Sequence, residues 1–231
     1  PSGDNNTGGT YNDIARAPDG RFFGQTETYN GNNTKQFHEL DFDNDSRALI
    51  NTNGKDFTSL TIGRDNIAYA MGYDDKNLYT IDLSNGALTN LGDTGYFGDG
   101  DLAFHQGSLF LAANKTKFGN PDSYLVKLDL DDLSNSAEIG PFGNDPNNLL
   151  DEFWGMDSVG DTLWAASGTS LFKVNPNDAS LSGEIDLSGN VGQIYGMTAS
   201  VAPVPVPAAG WMLVIGFGGL RLATRRRRKT A

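Results

Sequence analysis

The sequence predicts an all-β chain, a β-propeller-like repeat of about four readable blades, followed by one C-terminal transmembrane helix. Three observations carry that expectation. The first is a set of turn-then-strand segments: DGRFFG from Asp19, DNIAYA from Asp65, QGSLFL from Gln106 and GDTLWA from Gly160. Stacked on their turns, they place Phe23, Tyr69, Phe110 and Trp164 at one equivalent position, at intervals of 46, 41 and 54 residues. The second is a partner strand ending in an acid or amide: FHELD, LYTID, LVKLD and LFKVN, each followed by a Gly/Asn/Asp/Ser-rich turn. The third is an apolar run from Ala208, closed by a block of cations near the C-terminus.

Short strands at even spacing, separated by turn residues and showing almost no helical period, argue antiparallel β structure. A period in the forties with about four strands per unit is the signature of propeller blades. Each unit reads as an inner strand (Ser59–Ile62, then residues 102–104 and 155–157), the aromatic strand, the acid-ended strand and an outer strand such as residues 87–91. A fifth inner strand begins at residues 194–198, or that stretch closes the ring against the first blade. A β-sandwich or β-solenoid is the structural alternative.

In chain order, residues 1–10 (PSGDNNTGGT) are polar and glycine-rich, and read as disordered or loop. Residues 11–200 form the repeat domain, and 201–207 a proline-rich linker. Residues 208–224 form the membrane helix and 225–231 a basic cytoplasmic tail. With neither an initiating Met nor a leader at Pro1, a signal peptide and further upstream sequence are expected to precede it.

The prolines remove donors and hold the chain extended, so no helix starts before about Ala208. From Ala208 to Ala223 a helix rises about 24 Å, short of the roughly 30 Å hydrocarbon core. Bilayer thinning and snorkelling of Arg221 and the terminal arginines cover the shortfall. Arg225, Arg226, Arg227, Arg228 and Lys229 then act as the stop-transfer block and fix the direction.

Three ordered features at the extreme C-terminus, from Val204 to about Lys229, resemble the PEP-CTERM sorting signal of Gram-negative bacteria in its VPLPA-like variant. The sorting motif is Val204, Pro205, Val206, Pro207 and Ala208. Val206 stands where the Pro-Glu-Pro core has its Glu, and Arg221 interrupts the apolar run. The resemblance implies export, recognition by the membrane protease exosortase, cleavage near the prolines, and transient anchoring in the inner membrane. The product is then released or attached at the surface. Simple tail anchoring without cleavage is the plainer alternative. A nucleic-acid arm would not need an apolar run before its cations.

The formal charge of −12 mixes two regions. The tail from Val201 has six cations and no acids, which leaves 11 cations against 29 acids before it, or −18. So acidic a domain repels nucleic acid and anionic lipid, and suits divalent cations or solubility at a surface. There is no cysteine, which excludes a disulfide scaffold, thiol catalysis and thiolate zinc.

No catalytic residue is assigned. There is no GxSxG elbow, and His38 and His105 read as structural or solvated. Their spacing gives no transition-metal site. LGDTGYFGDGD, residues 91–101, reads as an inter-blade loop rather than a phosphate cradle, because a strand follows it. DFDND, residues 41–45, lacks the Gly and Glu of an EF-hand and reads as a solvated turn. Acids ahead of the inner strands, among them Asp56, gather at one channel mouth in a propeller. Asp99, Asp101, Asp151 and Glu152 are therefore the candidate cation or ligand face, with calcium the one cofactor considered. Trp164 shares the core aromatic phase, while Trp154 is less determined.

The resulting expectation is an exported binding or structural protein of the cell surface or exopolysaccharide matrix. Its partners are exosortase, the inner membrane transiently, and exopolysaccharide or envelope glycan, with no nucleic acid. The alternative is a propeller-fold, metal-dependent hydrolase of esters or lactones.

Overall fold

A computed structural model describes residues 11–26, 35–117, 123–143, 153–189 and 192–199, and of Asp99 the backbone alone. The expected disordered stretch 1–10 and everything from Ser200 onward lie outside the described residues. That includes the linker, the sorting motif, the helix expected over 208–224 and the cation block. Among the described residues, no helix is long and apolar enough to cross a membrane.

The described strands form four antiparallel sheets of four. Blade one holds β1 (Tyr11–Arg16), β2 (Phe22–Thr26), β3 (Gln36–Asp41) and β4 (Ser46–Thr52). Blade two holds β5 (Ser59–Ile62), β6 (Ala68–Met71), β7 (Asn77–Ile81) and β8 (Leu88–Asp93). Blade three holds β9 (Phe97–His105), β10 (Ser108–Asn114), β11 (Tyr124–Leu128) and β12 (Ala137–Pro141). Blade four holds β13 (Phe153–Val159), β14 (Thr162–Ser167), β15 (Ser170–Val174) and β16 (Leu181–Asp186). Every sheet is a meander in sequence order, and the first strands of successive sheets lie side by side. This is a four-blade β-propeller arrangement.

The turns explain the meander. Asp41 accepts from the backbone N–H groups of Asp43 and Asn44, and Asp82 accepts from that of Ser84. These Asx turns reverse the chain between third and fourth strands, so DFDND is the exposed hairpin turn expected of it. Residues 91–101 behave differently from the loop expected. Phe97 to Asp101 belong to β9, which runs past a bulge to pair Gly98 with Ala113 and Phe97 with Asn114. Glycine is admitted there by close approach. A Cβ on Gly100 would lie 1.6 Å from the Phe153 carbonyl oxygen of the next blade.

Alternation along each aromatic strand divides its side chains between two neighbours. Phe23 and Phe37 stack at 5.7 Å and join Phe57, Leu60 and Ile62 between blades one and two. Tyr69 turns to blade three, where it meets Phe104 edge-on at 5.4 Å. Phe110 turns to blade four, in the cluster holding Phe153 and Met156. The aromatic of each blade thus faces the following blade, as one shared repeat phase requires.

Trp164 keeps the phase but is not the core residue expected. Its neighbours Leu163 and Ala165 are buried against blade three, while Trp164 points the other way and stays half-buried. Lys173 Nζ lies 5.5 Å from its ring centroid. The difference follows from position, since no fifth four-stranded sheet covers that face among the described residues. Phe23→Ala should therefore cost about 3–5 kcal/mol in a urea melt, and Trp164→Ala clearly less. Equal losses would contradict this assignment of faces.

Candidate functional site

Cross-strand registers align the inner strands. Ala15, Thr61, Ala103 and Asp157 lie opposite Phe23, Tyr69, Phe110 and Trp164 respectively. Two residues earlier stand Asp13, Ser59, Asp101 and Gly155, lining the centre. Residues 194–199 read IYGMTA, a repeat of FWGMDS at 153–158, and put Gly196 in that same phase. This stretch lies between blade four and blade one and closes the inner ring. Its Ile194 N–H donates to the Gly168 carbonyl, and Thr198 Oγ1 accepts from the Arg16 N–H at 3.0 Å. Lack of a side chain permits the fit. A Cβ on Gly155 would stand 2.8 Å from Met197 Cγ, and one on Gly196 2.7 Å from Asp13 Oδ1.

Three aspartates bind the ring together in the same way. Each accepts its own following N–H on one oxygen and an N–H of the next inner segment on the other. Asp13 takes Ile14 at 2.7 Å and Leu60 at 2.6 Å. Asp101 takes Leu102 at 2.7 Å and Met156 at 3.0 Å. Asp157 takes Ser158 at 2.6 Å and Ala199 at 2.5 Å. Asp157 stands two residues after the phase of Asp13 and Asp101, which Gly155 fills in blade four; the seam between blades two and three has Ser59 in that phase. There Thr58 Oγ1 donates to the Gly98 carbonyl at 3.0 Å.

Asp13 and Asp101 are 3% and 0% exposed, and each carboxyl group acts on the other's proton affinity. Burial of two neighbouring acids favours the protonated form of the pair. Burial is the main cause pushing Asp13 up to about 8, with the charge of Asp157 adding to it and the hydrogen bonds pulling back. Burial, then the Asp13 charge, holds Asp101 well above the usual carboxylate range. Burial likewise raises Asp157, to about 6.

Of the four residues expected to form a cation face, only Asp101 has a described side chain, and it points into this ring. Asp99 lies on β9; Asp151 and Glu152 are outside the described residues. Asp56 is held by Lys35 Nζ at 2.6 Å and Asn12 Nδ2 at 3.0 Å, so it serves a polar cluster between blades one and two. Among the described residues, no group of three or more acids and histidines is placed to hold a metal ion. Asp13 and Asp157 are the residues sequence reasoning missed. The signal was present, because Asp13-Ile14-Ala15 and Asp101-Leu102-Ala103 are one motif in two blades.

Both histidines are structural. His38 is buried on β3 beside Tyr11, and burial with the nearby Arg47 charge lowers it to about 4. His105 Nδ1 lies 2.9 Å from Ser158 Oγ, linking blades three and four, and burial lowers its pKa.

No family model and no curated protein matches the chain. Among solved structures it is similar to a chain of the nidogen/laminin complex, with a TM-score of 0.58 and 11% identity. The similarity covers 81% of this chain and 67% of that one. A virginiamycin B lyase from Staphylococcus aureus matches at TM-score 0.48 and 10% identity, over 81% of this chain and 59% of that one. A protein of unknown function from Bacteroides thetaiotaomicron matches at 0.48 and 13%, over 72% and 41%. The first bears out the propeller arrangement; at such identity it speaks to fold alone.

The ring makes stability depend on pH. Its carboxyls bind protons more tightly folded than unfolded, so the ring's contribution to stability is full below the unfolded value of 3.8 and is lost as pH rises toward about 8. While one group stays protonated only in the folded state, the slope is about 1.4 kcal/mol per pH unit. Urea melts from pH 6.5 to 9, above the range in which the two lowered histidines oppose it, should show this fall, and Asp13→Asn should flatten it. A stability that rises over that range would contradict the raised carboxyls. Gly155→Ala should release the closing segment, seen as faster amide exchange at residues 194–199 with blades two and three unaffected. Unchanged exchange there would contradict the close approach.

Proposed function

We propose that the chain is an exported, surface-directed binding or structural protein whose propeller presents loops and blade faces to partners. The observation that carries this reading is the use of the central acids. Asp13, Asp101 and Asp157 spend their oxygens on backbone N–H groups, and both histidines are built into the blades. Among the described residues this leaves the loops and blade faces, which supports a recognition role. The alternative of a metal-dependent hydrolase gains no observation from the described residues. The similar chain from a nidogen/laminin complex offers an analogy for a propeller in a protein complex.

The tail supplies the destination in this reading. Its order (proline motif, apolar run, cation block) supports transient inner-membrane anchoring through 208–224 and processing by exosortase at Val204–Ala208. Exopolysaccharide or envelope glycan is the expected partner at the surface.

Expression behind a signal peptide, in a Gram-negative host with a matching exosortase, tests this. The mass of the mature protein should end near Pro207. Joint replacement Arg225→Ser, Arg226→Ser, Arg227→Ser and Arg228→Ser should weaken membrane retention and block that loss. A mature protein that keeps its tail, or one whose location ignores it, would overturn the sorting proposal.

A further inference from the structure

We propose that the side chains of Lys35 and Asn12 condense into an intramolecular amide, with Asp56 carrying the protons. Asp56 Oδ2 lies 2.6 Å from Lys35 Nζ, and its Oδ1 accepts from Asn12 Nδ2 at 3.0 Å. One carboxylate thus holds an amine and a carboxamide together. A second bond, from Nδ2 to the Phe57 carbonyl at 3.1 Å, fixes the carboxamide in place. The three residues come from β1, from the position just before β3 and from the segment entering β5. The chain has no cysteine, so a covalent cross-link has to be made by other side chains.

The repeat shows why this position is available. Pairing of β1 with β2 skips Asn12, as pairing of β13 with β14 skips Trp154. Such a skip re-aims the side chain. Trp154 meets Tyr195 of the closing segment, with ring centroids 6.1 Å apart, and Asn12 meets Asp56 and Phe57. The other blades hold Thr58, Gly100 and Trp154 in this phase, so the carboxamide belongs to blade one alone. Among the ion pairs of the described residues, Lys35 is the least exposed cation, its side chain 12% accessible. Lys55 and Asp75 supply the contrast. They are equally close at 2.6 Å, but the third partner is the Tyr79 hydroxyl, which offers no acyl carbon.

The condensation needs proton transfers at both nitrogens, and Asp56 reaches both. Its carboxylate takes a proton from the Lys35 ammonium, and the freed amine attacks Asn12 Cγ, pushing the carbonyl electrons onto Oδ1. The attacking nitrogen releases a second proton through Asp56, which protonates Nδ2. Collapse of the intermediate restores the carbonyl and breaks the Cγ–Nδ2 bond. Ammonium leaves, the new Cγ–Nζ amide remains, and Asp56 ends as the carboxylate it began. No oxidant or cofactor is consumed. A lysine amine beside a base is an activated nucleophile, and holding both reactants on one carboxylate replaces a bimolecular encounter. The product closes residues 12–35 into a loop and restricts the unfolded chain as a disulfide does. This inference does not depend on the sorting proposal.

Mass spectrometry of the intact, folded 231-residue chain tests it. The mass should fall short of the sequence mass by one ammonia. Trypsin should no longer cut after Lys35, and should release one branched peptide joining residues 1–16 to residues 22–47. Lys35→Arg and Asp56→Asn should each keep the full mass of their own sequences, with circular dichroism checking their fold. Lys55→Arg should still lose the ammonia. A parent chain at its full sequence mass and cut after Lys35 would overturn the proposal, whatever the variants do. Ammonia loss that leaves cleavage after Lys35 intact would overturn it too. So would loss of one water with the branch at Asp56, because the acyl carbon would then be the aspartate's.

Discussion

The structure depends on carboxylates that reach from one blade to the backbone of the next. Ladder hydrogen bonds act within a sheet, and a propeller stacks separate sheets, so its inner ring needs another bond across each seam. Asp13 to Leu60, Asp101 to Met156 and Asp157 to Ala199 are those bonds. Leu60 and Met156 are buried, so Asp13 and Asp101 satisfy backbone donors shielded from solvent. Burial of Asp13 and Asp101 side by side holds both carboxyls above the usual carboxylate range. An otherwise strongly acidic domain therefore keeps part of its central charge neutral.

Direction follows from the repeat phase. Because the aromatic of each blade faces the next, the array has a leading face on blade four and a trailing face on blade one. Phe23, Tyr69 and Phe110 are buried against the following blade, while Trp164 is half-buried with no following four-stranded sheet among the described residues. The closing stretch 194–199 joins the two faces at the inner ring, and glycine at 155 and 196 lets it approach.

The four blades were legible because the period-two alternation and the turn chemistry agree at every repeat. DFDND, SNG and PND place Asx turns where the chain reverses, and Phe23, Tyr69 and Phe110 keep one phase. The centre was less legible. Asp13 and Asp157 read as ordinary polar positions of half-buried strands, because partners 42 or 47 residues away in sequence make them structural. The residues 91–101 misled for a related reason. Gly98 and Gly100 suggest a loop, but they are required where two inner strands nearly touch. Trp164 shows the limit of phase alone, since among the described residues no four-stranded sheet covers its face.

The central claim is that the inner-ring acids hold protons while bridging blades. Its most direct measurement is a carbon-13 NMR titration of the aspartate side-chain carboxyls in the folded protein. The account predicts that Asp13 and Asp101 titrate as a coupled pair with a step near 8, and Asp157 near 6. Titration of all three near the ordinary aspartate value, while the protein stays folded, would contradict it.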